Sequence, residues 1–231
     1  PPYHPDSDAV RKDWARYADM ITFMDTEVGR VLRQLDKDGL AENTIVFFYS
    51  DHGAGMPRSK RWLFDSGLRV PMVVRVPEKF KKFAPGIAGF QTSRLVSFVD
   101  FAPTVLQLAG VQVPEHMQGQ AFLGGNSQKP EAHRRYVFGF RDRMDERYDM
   151  IRCVSNGRFK YIRNFMPHLP YAQYIDYMYQ MPTMKDWQKR FDAGSLSAVQ
   201  RAFFEAKPTV ELYDTEADPH EVVNLAGRAD H

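Results

Sequence analysis

The 231-residue chain has 43% hydrophobic and 26% charged content, the balance of a globular protein with a buried core, which sets aside a disordered, fibrous or membrane-embedded chain. Its 31 basic and 29 acidic residues are interspersed and sum to a formal charge of +2, so no basic stripe offers itself to a nucleic-acid backbone. No run approaches the ~18 consecutive apolar residues that a membrane span needs, and a lone cysteine, Cys153, makes an intrachain disulfide impossible.

The opening Pro1-Pro2-Tyr3-His4-Pro5, with no methionine and no strand before the first helix, reads as the start of a piece cut from a longer chain. From there Val10, Trp14, Tyr17, Ile21, Met24, Val28, Val31 and Leu35 recur in steps of four and three, which predicts a long amphipathic helix. Asp6 or Ser7 suits its start and Gly39 lies just past its end. Thr44 to Tyr49 is an unbroken β-branched and aromatic run, expected as a central parallel strand covered on both faces. Val70 to Val76 is a second strand, with Pro71 tolerable only near its beginning. Asp100 to Gly110 reads as a short helix with Asp100 as N-cap and Pro103 in the first turn. Helix, strand, strand, helix in this order predicts a layered α/β fold with helices flanking a sheet.

Composition turns polar around Gly124-Gly125-Asn126-Ser127, which sets the expected boundary: an α/β part over 1–127 and a smaller α+β subdomain over 128–231. In the second part Tyr136–Phe140, Met150–Val154 and Phe159–Arg163 are short strands of an antiparallel sheet, the last two joined through an Asn156-Gly157 turn. A mixed helical stretch runs from about Tyr171 to Glu205, and Val210–Tyr213 offers a last strand. Cys153 falls inside a strand, the setting of a small buried residue rather than of a reactive thiol.

The chemistry concentrates in the loop over 50–61. Ser50-Asp51-His52-Gly53 follows the first strand, and ligands of open α/β sheets bind at the carboxyl ends of strands. Asp51 supplies a hard oxygen, His52 a nitrogen ligand or proton-transfer group, and Gly53 a sharp turn; alternatively Asp51 only turns the loop and His52 is a satisfied polar residue. Pro57-Arg58-Ser59-Lys60-Arg61 then brings three cations close behind, which suits a bound anion, lysine acting as a point charge and arginine as a planar fork, unless the loop is simply solvated.

Asp51-His52-Gly53, Lys60 nine positions after Asp51, and Phe64 to Arg75 together resemble the second half of sulfatases in the alkaline phosphatase superfamily. Asp25–Gly29, Phe98–Leu106 with Ala109-Gly110, Gly119, Gly157–Ile162, Glu211–Asp214, Asp218-Pro219 and Asn224-Leu225 agree with that resemblance, which covers nearly the whole chain. The resemblance implies an alkaline-phosphatase-like layered sheet and a sulfuric ester hydrolase. It implies that Asp51 and His52 hold a divalent metal, calcium in most members with magnesium as the alternative, and that Lys60 contacts the sulfate. His52 stands where many members have asparagine, and calcium prefers oxygen. The family's nucleophile motif, Cys or Ser followed by x-Pro-x-Arg, does not occur in these residues, so formylglycine is expected in an N-terminal half and this piece alone is expected to be inactive.

Arg58 is expected to assist in sulfate binding. The charge run Arg141–Arg147, with Arg143 and Asp145, is a candidate sugar-binding loop or else a solvated face. A sulfated small molecule or glycan is the expected partner, and export to a periplasmic, secreted or lysosome-like compartment is what the family implies. A two-metal phosphatase or phosphodiesterase needs further histidine ligands, yet no Asp-x-x-x-His precedes the first strand and no second His-Gly follows it. A non-catalytic binding module whose metal site has decayed is the other alternative: the retained Asp51, His52 and Lys60 argue against decay, whereas the missing N-terminal half speaks for it.

Overall fold

The computed structural model describes residues 1–124, 134–143 and 145–228. In chain order the helices and strands are α1 (Asp8–Lys37), β1 (Val46–Tyr49), α2 (Asp65–Leu68), β2 (Met72–Arg75), α3 (Phe101–Leu108), β3 (Val137–Arg141), β4 (Ile151–Ser155), β5 (Phe159–Asn164), α4 (Asp176–Tyr179), α5 (Pro182–Asp192), α6 (Ala198–Arg201) and β6 (Val210–Asp214). Contacts group them into two compact units, one comprising Pro1–Val28, Ser50–Pro71 and Phe138–His231, the other Gly29–Tyr49 and Met72–Val137. The boundary expected at 127 falls outside the described residues, as do His133 and Met144. The loop after β1 belongs to the unit that contains the C-terminal sheet.

In the smaller unit β1 and β2 pair antiparallel, with Val46 opposite Arg75 and Tyr49 opposite Met72. This corrects the expectation of a central parallel strand. A parallel partner needs a crossover element, usually a helix. The connection over 50–71 contains only the single turn α2, and β1 is half-buried to exposed instead of covered on both faces. Asp100 stands at the expected N-cap of α3, but its side chain does not cap that helix: it is buried, and its carboxylate accepts from the backbone N–H of Ser97 and of Gln120, each at 2.8 Å, and from Arg134. Gly119 is required where it stands, because a Cβ there would lie 1.9 Å from the Val99 carbonyl oxygen.

The larger unit holds the sheet β3-β4-β5-β6, in which β4/β5 and β5/β6 are antiparallel. The predicted turn closes the β4/β5 hairpin: Gly157 takes φ 97°, and the Asn156 side-chain oxygen accepts from the N–H groups of Arg158 and Phe159. Along β5, Lys160, Ile162 and Asn164 alternate inward and are buried, with Tyr161 and Arg163 exposed, the period of a half-covered strand. Ile162 joins a core built from Ile151, Trp187, Phe203 and Tyr213 together with Trp62, Leu63 and Phe64. Cys153 also lies in this core, where burial pushes its thiol up to about 11, so it is a packing residue.

Helix α1 lies within the expected bounds, Ser7 capping its start by accepting from Val10 N–H and Lys37 ending it two residues before Gly39. Asp13 accepts from both the backbone N–H and the hydroxyl of Thr183, fastening α1 to the first turn of α5. Only Val10 of the apolar stripe is buried, whereas Ile21, Met24 and Val31 are exposed.

Candidate metal and anion site

The loop after β1 is folded by three short-range constraints. The Ser50 hydroxyl donates to the His52 carbonyl at 2.6 Å, Gly53 N–H donates to Gly67 O at 2.9 Å, and Lys60 N–H donates to Ala54 O at 3.0 Å. The last bond brings Lys60 back beside the Asp51-His52-Gly53 turn. Gly53 is pressed so closely against α2 that a Cβ would sit 1.8 Å from the Ser66 carbonyl oxygen, and one at Gly67 would sit 2.2 Å from that of Ser59. Two residues beyond Lys60 the chain enters the core as Trp62-Leu63-Phe64, each at most 4% exposed, which fixes where the loop returns.

His52 Nδ1 lies 2.7 Å from its neighbour's carbonyl, Gly53 O. A carbonyl only accepts, so this nitrogen carries a proton, and in the neutral ring the lone pair is then on Nε2. That lone pair is on the Asp51 side, with Nε2 3.6 Å from Asp51 Oδ1. Two such donors suit one divalent ion placed between them, since metal–nitrogen and metal–oxygen bonds of about 2.0–2.5 Å span a gap of this size. No group of three or more His, Cys, Asp or Glu side chains able to hold a metal occurs among the described residues. The donor set therefore fits part of a coordination shell, well short of the ~6–8 oxygens of calcium.

Lys60 is partly buried, and no carboxylate among the described residues lies within ion-pair distance of its ammonium. Its Nζ lies 5.4 Å from the ring centre of Tyr177 on α4. The neighbouring Arg61 also lies over that ring at 5.0 Å, and its Nε donates to Asp145 Oδ2 at 2.6 Å. The 141–147 segment is tied to the same loop through Arg141, which donates to Arg61 O at 2.8 Å. Expected site residues thus meet: Lys60 and Asp145 converge on Arg61 and Tyr177. Arg143 is exposed nearby, with Nε 3.5 Å from Asp145 O. Tyr177 had no assigned role in the sequence, and Arg61 was read only as one of the three cations that follow the Asp51-His52-Gly53 turn.

Arg58 takes a different position from the one expected. Its guanidinium is buried between Phe64 (3.8 Å) and Tyr3 (4.2 Å) and donates to the carbonyls of His220 and Glu221. A cation so enclosed organises the fold and faces no external anion. The C-terminal segments that supported the resemblance serve the same end. Asp218 accepts from Val222 and Val223 N–H to shape the turn that Arg58 grips. Lys160 of β5 is buried in ion pairs with Asp65 of α2 and with Glu221.

His4 secures the loop from the other side. Its Nε2–H donates to Pro57 O at 3.0 Å and its Nδ1 accepts from Trp14 Nε1–H at 3.3 Å, a pairing that only the neutral ring satisfies. Burial pushes its pKa from 6.5 down to about 4. A group with a lowered histidine pKa stabilises the fold fully above the unfolded value and loses that contribution as pH falls from 6.5 toward 4, in total about 3 kcal/mol. Denaturant unfolding of the wild type and of His4→Gln is expected to show a stability gap that shrinks between pH 7 and pH 4; a pH-independent gap would contradict this role.

Comparison with known proteins shows the class that this arrangement resembles. Residues 2–111 match the sulfatase family model, and the chain is similar to sulfatases along its whole length. It is 44% identical over 232 residues to an ulvan-active sulfatase of Formosa agariphila, an alignment covering 100% of this chain and 37% of that protein. It is 28% identical over 240 residues to human N-sulphoglucosamine sulphohydrolase, covering 98% of this chain and 46% of the relative. A putative sulfatase from Bacteroides thetaiotaomicron superposes with a TM-score of 0.66 at 22% identity, over 99% of this chain and 41% of that one. That likeness is one of fold, and it bears out the expected α/β, alkaline-phosphatase-like class. The chain spans less than half the length of these relatives.

Proposed function

We propose that this chain is the C-terminal part of an exported sulfatase that hydrolyses sulfate esters or N-sulfates of a carbohydrate. The observation that carries the reading is the Lys60 ammonium, which has no carboxylate within ion-pair distance among the described residues and belongs to a residue whose backbone N–H bonds Ala54 O, just after the turn that presents Asp51 and His52. Lys60 neutralises a sulfate oxygen, and Asp51 and His52 furnish one side of a divalent-metal site, calcium or else magnesium. His52 is positioned as a ligand through Nε2. The metal, when bound, withdraws charge from the sulfate oxygens, a preorganised electrostatic effect. The remaining ligands and the formylglycine nucleophile belong to the rest of the protein, so the 231-residue chain alone is inactive. Asp145 and Arg143 border the place of the sugar. The names of the relatives, an ulvan-active sulfatase and an N-sulphoglucosamine sulphohydrolase, support a sulfated glycan as substrate.

Metal analysis tests this reading against a two-metal phosphoesterase. The whole protein is expected to retain one calcium or magnesium ion, and Asp51→Ala to lose it. Two zinc or manganese ions per protein, or full metal content in the variant, would overturn the assignment.

A further inference from the structure

We propose that Tyr177 is the platform against which the sugar ring bearing the scissile sulfate packs, an inference that rests on the sulfatase reading. The tyrosine is 55% exposed, while Ile175 and Met178 beside it are 0% and 2% exposed. Its backbone is therefore pinned to the core while its ring is offered to solvent. An exposed aromatic ring held in this way is otherwise a cost, and it is the amphipathic surface that apolar C–H faces of sugars seek, with a hydroxyl to satisfy a neighbouring group.

The ring's position supplies the second part of the argument. Lys60 Nζ stands 5.4 Å from its centre, so a sulfate on that ammonium leaves its sugar within one ring's width of the phenol. Arg61 holds the ring at 5.0 Å but is itself only 7% exposed in the side chain and neutralised by Asp145. Arg61 and Asp145 adopt φ of 87° and 51°, left-handed backbone that non-glycine residues rarely take. Left-handed backbone at both ends of one ion pair, whose guanidinium lies over an exposed tyrosine, marks a locally over-determined arrangement of the kind that clusters at ligand clamps. The arrangement leaves Lys60 for the sulfate and Tyr177 for the sugar.

The test uses the whole protein with a sulfated disaccharide as substrate and inorganic sulfate as competitive inhibitor. Tyr177→Ala is expected to raise KM for the disaccharide by ~10-fold or more and to leave inhibition by inorganic sulfate within about twofold of wild type. Tyr177→Phe keeps the ring and is expected to behave close to wild type. An unchanged KM in Tyr177→Ala, or a Phe variant as impaired as the Ala variant, would overturn the proposal. So would an equal loss of sulfate inhibition, since Tyr177 would then act only by positioning Lys60. A wild-type protein that releases no sulfate is a separate outcome, which removes the sulfatase reading and this proposal with it.

Discussion

Gly53→Ala is expected to destabilise the folded protein by about 3 kcal/mol, at the upper end of ordinary overpacking. The added methyl would lie 1.8 Å from Ser66 O and 2.7 Å from its carbonyl carbon, both backbone atoms that cannot rotate aside. Relief requires moving the loop after β1 away from α2, which breaks the bond from Gly53 N–H to Gly67 O and displaces the Asp51 and His52 side chains just before it. Gly55 is the internal control: it lies in the same loop, and a Cβ there meets nothing within 4 Å. Denaturant unfolding is expected to separate Gly53→Ala from a nearly neutral Gly55→Ala. Equal midpoints for the two would show that the loop is not clamped as described.

Much of this was legible in the sequence, for reasons that differ by element. The hairpin at Asn156-Gly157 is encoded locally, by a side chain that bonds its own turn and a glycine that accepts a positive φ. Helix α1 is encoded by periodicity, yet periodicity names no partner, and Ile21, Met24 and Val31 are exposed. The antiparallel pairing of β1 was not legible, because an unbroken apolar run records how much a strand is to be covered and not the direction of its neighbour.

At the proposed site, Asp51, His52 and Lys60 were legible as candidates because their types and spacing lie together in one loop. Arg58 was misjudged for the same reason. Adjacency to Lys60 suggested shared chemistry, whereas its φ of 64° turns it to Tyr3 and Phe64 and to carbonyls more than 160 residues away in sequence. Tyr177 was missed because its relation to Lys60 exists only after the loop has entered the core through Trp62 and α4 has docked by Met178. Such long-range juxtapositions leave no local signature.

Lys60→Ala bears most heavily on function. Its ammonium has no carboxylate partner among the described residues, so its charge is free to act on an external anion. Removing a preorganised charge from a site where negative charge develops typically costs about 10²–10³ in rate, or roughly 3–4 kcal/mol of transition-state stabilisation. The fold is expected to persist, because the loop is anchored by Trp62, Leu63 and Phe64 and by the backbone bond from residue 60 to Ala54, none of which needs the lysine side chain.

The decisive measurement is therefore release of inorganic sulfate from a sulfated oligosaccharide by the whole protein and by its Lys60→Ala variant, with melting temperatures recorded for both. The sulfatase site built on Asp51, His52 and Lys60 predicts turnover by the wild type and a loss of kcat/KM of at least ~100-fold in a variant that melts normally. No sulfate release by the wild type, or undiminished kcat/KM in the variant, would contradict it.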